Sequence, residues 1–228
     1  MTRRQADETL ELLSIRTSGP LDGVEDLYFD TNNGAIRMRF HAAVQNVPAV
    51  LWVFGSGGGL GGPAGGLYER LGRRLAPGRA ASLQVDYRQP GDLVSCVLDV
   101  LIGIEFLKSR GHERTMLVGH SFGGVVAINA ALSSTEVMAV AVLSSQAAGA
   151  GEIRNLSPRP VFLAHGQDDE VLPCSCSQTL YRKAAQPKTL KLYPGCGHGL
   201  DACRDELDAD LEAWLTDVLA GAVPRQLV

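Results

Sequence analysis

The chain of 228 residues lacks any uninterrupted apolar run of the roughly eighteen residues that a membrane-spanning helix needs, so no membrane association is expected. Behind the paired arginines of "MTRRQADETLELL" there is no apolar stretch of the kind a secretory signal requires, and the expected location is cytoplasmic. Basic charge is not in excess. The 21 Lys and Arg stand against 25 Asp and Glu, a formal balance of −4 that gives nucleic acid no electrostatic footprint. Cysteines number five, an odd count that fits free thiols in a reducing compartment better than a disulfide framework. No G-x-x-x-x-G-K-[ST] occurs, which excludes a P-loop. No internal repeat is visible either.

What is present is the composition of an ordinary globular domain, 45% apolar and 20% charged, with enough chain to bury a full core. One domain is expected over residues 23–228, after a loosely anchored lead-in at residues 1–22 with a short helix around "ETLELL". "DLYFD" and "AIRMRFHAA" flank the hairpin signal "TNNG" and predict an antiparallel start to the sheet. After Pro48 the pattern changes. The segments "AVLWVFG", "SLQVDY", "TMLVGH", "MAVAVLSS", "PVFLAHG" and "TLKLYPG" are apolar almost throughout, as parallel strands covered on both faces must be. Helical stretches alternate with them, among them "GDLVSCVLDVLIGIEFLKSRG" and the amphipathic "DELDADLEAWLTDVLAG". The fold class is therefore α/β, a doubly wound and mostly parallel sheet with an antiparallel N-terminal hairpin.

Gly119-His120-Ser121-Phe122-Gly123 matches G-x-S-x-G, and its flanks carry more weight than the pentapeptide. A β-run precedes it and "GGVVAINAAL", rich in small residues, follows as a helix. A serine on so sharp a strand-to-helix turn is driven toward positive φ, and Gly119 and Gly123 remove side chains that would collide there. The turn also sets Ser121 at a helix N-terminus, where the Phe122 amide and the helix dipole favour developing negative charge. Ser121 acting only as a helix cap is the bland alternative. A serine hydroxyl needs a base, and the base needs an orienting carboxylate. Past the later strands the chain reads "HGQDDEVLP" and then "PGCGHGL", so serine, acid and histidine arrive in that order. His198 falls where the base is due.

On these motifs the chain resembles the α/β-hydrolase family over roughly residues 35–220. The family's acid loop often takes the form His-Gly-x-x-Asp-x-x-Val-Pro. Matching His165, Gly166 and Pro173 to it puts the acid at Asp169, with neighbouring Asp168 and then Glu170 as alternatives. The resemblance implies a triad of Ser121, Asp169 and His198. Its oxyanion loop would be "VFGSGGGLGGPAGG", with the amide of Ser56, or else Gly57, joining that of Phe122. The family commonly has His-Gly-x where this chain has Phe54-Gly55-Ser56. Only Gln146 to Arg159 stand where larger members insert a lid, so no lid domain is expected and the site should be open to small or soluble acyl esters. In size and plan the chain is similar to compact dienelactone-hydrolase-like esterases, although that enzyme uses cysteine where Ser121 stands. Such chemistry requires no metal or cofactor.

Two further readings compete. Gly57-x-Gly59-x-x-Gly62 after a strand, with Asp86 ending the next strand and Arg88 beyond it, satisfies the dinucleotide fingerprint of an NAD(P)-binding oxidoreductase. A non-catalytic ligand-binding member of the hydrolase fold is the other. Cys174, Cys176, Cys196 and Cys203 cluster near the acid and histidine loops, but their spacing is not that of a usual zinc site, and free thiols are expected.

Overall fold

A computed structural model describes residues 10–222. Nine strands form one sheet in the order β1-β2-β3-β5-β4-β6-β7-β8-β9. The first three, β1 (Leu12–Thr17), β2 (Val24–Thr31) and β3 (Gly34–His41), are antiparallel neighbours, and β3 also runs antiparallel to β5 (Ala81–Asp86). From β5 onward every pairing is parallel, through β4 (Ala49–Val53), β6 (Thr115–His120), β7 (Val137–Leu143), β8 (Val161–Gly166) and β9 (Lys188–Tyr193). The β2–β3 turn is made by Asn32 and Asn33, and Gly34 follows at φ +98°, a conformation that glycine adopts without steric cost.

The continuous hydrophobicity of the parallel strands has its reason in two cores. On one face Leu51, Val53, Leu117, Val140 and Val142 pack with α2 (Leu93–Ser109) and α3 (Phe122–Leu132). On the other Val50, Trp52, Met116, Val118 and Leu143 pack with α1 (Pro63–Leu75) and α5 (Arg204–Leu219). Alternate residues of one strand thus serve opposite layers, which requires both sets to be apolar. Asp92 caps α2 by accepting the Ser95 N–H at 2.8 Å. The helix stops before Gly111, at φ +89°. α5 closes the second layer with Leu207, Leu211, Trp214, Leu215 and Val218 buried and Leu219 half-buried beside them. α4 (Ser175–Lys183) lies between β8 and β9.

One N-terminal expectation is corrected. Leu12 and Leu13 belong to strand β1, with all six residues exposed at the sheet edge, rather than to a helix around "ETLELL"; the first part of that segment lies outside the described residues. Between β7 and β8 there is only a single 3-10 turn, Ile153–Leu156, and no lid domain.

The strand order reverses at β4 and β6. The chain leaves β4 toward α1 on one face and leaves β6 toward α3 on the other, so a crevice opens between these strands at their C-terminal ends. Val53 faces Gly119 across that pair, which brings the loops after both strands to the same point.

Candidate active site

Ser121 occupies the turn between β6 and α3 with φ +56° and ψ −127°, a strained conformation for a non-glycine residue. Its side chain makes no capping hydrogen bond, so it does not serve as a helix cap. The turn is held from behind, with the Ser121 N–H donating to Leu143 O at 2.8 Å and Ser145 Oγ donating to Ser121 O at 2.7 Å. A methyl group at Gly119 would lie 2.2 Å from Gly123 O, and one at Gly123 would lie 2.2 Å from Phe54 O. The second contact is with the loop after β4 rather than across the turn itself. Close approach, more than backbone freedom, requires glycine at both positions.

His198 sits in the loop between β9 and α5, and its imidazole spans the other two residues. Nε2 is 3.1 Å from Ser121 Oγ and Nδ1 is 2.8 Å from Asp169 Oδ2. The carboxylate can only accept, which places the ring proton on Nδ1 and leaves Nε2 free to accept from the serine. Asp169, rather than Asp168, faces the imidazole; Asp168 is exposed, and its N–H donates to Cys196 O. Glu170 is not the imidazole's partner but accepts the backbone N–H of His198 at 3.3 Å. Burial opposes ionisation of Asp169, yet the N–H of Leu172, the His198 ring and the N–H of Val171 together outweigh it and hold the carboxyl below its usual range.

Two histidines that the motif gave no role complete this side of the site. His165 Nε2 lies 3.0 Å from both Leu172 O and Asp169 Oδ2, two acceptors, so it carries the proton; the Nδ1 lone pair then takes the Ser177 hydroxyl at 2.7 Å. Burial lowers its pKa and keeps the ring neutral. His120 donates from Nε2 to His198 O at 3.0 Å and stacks on Phe54. Both residues lie within the motifs; the partner of His120 stands in a distant loop, whereas His165 meets Asp169, Leu172 and Ser177, four to twelve residues further along its own segment.

Phe122 begins α3, where the first amides of a helix have no partner within it. Gly55 lies against Ser121, since a methyl group there would be 3.4 Å from Ser121 Cβ, and exposed Ser56 and Gly57 follow. The features of the dinucleotide reading are otherwise engaged. Asp86 Oδ1 accepts the Gly59 N–H at 2.6 Å, and Arg88 is buried against Asp99 with Nε 2.5 Å from Oδ1. Asp86 Oδ1 thus serves the loop's own backbone, and the Arg88 guanidinium is taken up by Asp99.

The cysteine expectation is corrected. Cys196 and Cys203 form a disulfide, with Cα atoms 5.7 Å apart, that closes the loop carrying His198; Cys96, Cys174 and Cys176 are free. A bridged pair offers no thiolate, so the four-sulfur set is not available to zinc. With this bridge the cysteine count no longer argues for a reducing compartment. Among the described residues no helix is long and apolar enough to cross a membrane.

A serine on a strained elbow, set at the crevice of a doubly wound, mostly parallel sheet, defines an α/β hydrolase. Residues 95–209 match the phospholipase/carboxylesterase family, and the chain belongs to that family. The uncharacterized protein YfhR of Escherichia coli K12 is 33% identical over 85 residues, 37% of this chain and 30% of that protein, so the match spans less than a third of the curated relative. Among solved structures, the protein of unknown function ATU1826 from Agrobacterium tumefaciens superposes with a TM-score of 0.73 at 16% identity, over 88% of this chain and 99% of that one. Est1E from Butyrivibrio proteoclasticus gives 0.70 at 16% identity, over 86% and 99%. At such identities these likenesses show the shared fold.

Proposed function

We propose that the chain is a serine hydrolase that cleaves small or soluble carboxylic esters through an acyl-enzyme on Ser121. The observation that carries this is the single imidazole of His198 held between Ser121 Oγ and Asp169 Oδ2. Ser121 Oγ attacks the ester carbonyl carbon as its proton passes to His198 Nε2, and Asp169 holds the tautomer and stabilises the imidazolium. The oxyanion accepts from the amides of Phe122 and Ser56, with Gly57 the alternative to Ser56, each donor contributing on the order of 3 kcal/mol. Collapse expels the alcohol, which takes the proton from His198. Water then attacks the acyl carbon, gives its proton to the same nitrogen, and the carboxylic acid leaves as Ser121 is restored. Each step uses this chain's own groups.

The absence of a lid between β7 and β8 favours a compact or soluble acyl group over a long chain that would need covering. The engagement of Asp86 and Arg88 weighs against the oxidoreductase alternative. Strained φ at Ser121, together with a base and acid in contact, favours turnover over a purely ligand-binding role. Nitrophenyl esters of graded acyl length, assayed with wild type and Ser121→Ala, test the proposal. Turnover falling with acyl length and lost in the variant supports it; equal turnover by both proteins overturns it.

A further inference from the structure

The loop that presents the Ser56 amide has little conformational preference of its own. Gly58, Gly59, Gly61 and Gly62 all have φ between +68° and +105°, and glycine is the residue that gives up most freedom on being ordered. Such a loop holds a donor at a fixed point only if something outside it supplies the constraint.

The constraint comes from the end of β5. Val53 and Val85 are partners in parallel strands, so the chain leaves β5 beside the start of the loop. Tyr87 Oη donates to Phe54 O at 3.0 Å, Asp86 Oδ1 accepts the Gly59 N–H at 2.6 Å, and Gln84 Oε1 accepts the Gly61 N–H at 2.8 Å. Within the loop the Gly58 N–H returns to Gly55 O at 3.0 Å. The buried amide of Gln84 is itself oriented, because its nitrogen donates to Glu69 Oε2 on α1 at 3.0 Å and its oxygen is thereby turned toward Gly61. A methyl group at Gly58 would lie 2.9 Å from Asp86 Oδ1, so the carboxylate is packed directly on the loop.

We infer that Asp86, seconded by Gln84, is a positioning residue for ester hydrolysis: by accepting loop amides it fixes the Ser56 N–H where the oxyanion forms. This rests on the serine-hydrolase proposal. It gives the acid that would meet a ribose in a dinucleotide site a different task, that of a backbone acceptor. Asp86 acts only through the loop. Its removal therefore loosens a contact made in the transition state and leaves ground-state ester binding alone.

The test measures nitrophenyl acetate hydrolysis and inhibition by benzeneboronic acid, whose tetrahedral adduct on the serine places an oxygen at the oxyanion position. The proteins are wild type, Ser121→Ala, Asp86→Ala, Asp86→Ser and Asp86→Asn. Truncation is expected to lower kcat by about 10- to 100-fold with KM changed less than about threefold. The inhibition constant for the boronic acid should weaken by a similar factor. Asp86→Asn, which retains an acceptor for the Gly59 N–H, should recover most of both. The inhibition constant carries the decision, since loss of folded enzyme lowers kcat but does not change the affinity of the sites that remain; Asp86→Ser serves if the alanine variant does not fold. Unchanged kcat and inhibition in the truncated variants, with Ser121→Ala inactive, overturns the inference and leaves the hydrolase proposal standing. Full activity in Ser121→Ala overturns both.

Discussion

The rings of His120 and His198 lie 4.9 Å apart, and His120 Nε2 donates to the His198 backbone carbonyl at 3.0 Å, so the residue before Ser121 supports the loop of His198. Burial pushes the His120 pKa down to about 4, against 6.5 for an exposed histidine. Its folded value lies below its unfolded one, so the unfolded chain binds the extra proton first. Stability is fully present above pH 6.5 and falls progressively down to about pH 4, by about 3 kcal/mol from this group. His165 and His41, also lowered by burial, add in the same direction. Urea unfolding at pH 7 and pH 4 should therefore show a smaller acid loss in His120→Gln, which keeps the donor without the titration, by about 3 kcal/mol. An equal loss in both proteins would contradict this.

Asp169 and Asp168 are adjacent, but only Asp169 meets the imidazole. Asp169→Asn should leave the fold intact and lower kcat on a nitrophenyl ester by about 10³- to 10⁴-fold, because an amide donor favours the wrong tautomer of His198. Asp168→Asn, at an exposed side chain, should stay near wild type. Steady-state kinetics on the pair decides it, and a reversed order would move the acid by one residue.

Much of this site can be read along the chain because each part depends on its own neighbours. A strained serine between glycines, a carboxylate three residues past His-Gly, and a histidine between glycines all declare themselves locally. So do the parallel strands, whose apolar runs serve two cores at once. Strand β1 does not, because Leu12, Ser14 and Arg16 gain a partner only when β2 comes alongside, and all of β1 stays exposed. The bridge between Cys196 and Cys203 depends on a loop closing in space. Asp86 is the sharpest case: a glycine loop followed by an acid at the end of the next strand has one pattern and two uses, and only the fold reveals that this acid accepts the Gly59 N–H at 2.6 Å.

Gly119→Ala and Gly123→Ala each place a methyl group 2.2 Å from a backbone carbonyl oxygen. Neither carbonyl can withdraw without moving the elbow or the loop after β4, so each variant should lose at least about 3 kcal/mol or fail to fold. Gly151→Ala, where nothing lies within 4 Å and φ is not positive, should fall within about 0.5 kcal/mol of wild type. Denaturant unfolding of the three compares them directly.

The disulfide joins residues seven apart in sequence and encloses His198. Both sulfurs are buried, so paired serine substitution tests it better than a reductant does. Loop-closure entropy predicts a loss of about 2–3 kcal/mol in Cys196→Ser/Cys203→Ser. A larger drop in kcat on nitrophenyl esters than in the folded fraction would show that the bridge also holds the base in place; thermal unfolding beside kinetics separates the two.

The most direct test of the account is where a fluorophosphonate probe attaches. Reaction requires a serine activated by a neighbouring base, and peptide mapping after labelling should place the adduct on Ser121, with labelling lost in His198→Ala and in Ser121→Ala. Attachment to another serine, or labelling undiminished when His198 is removed, would contradict it.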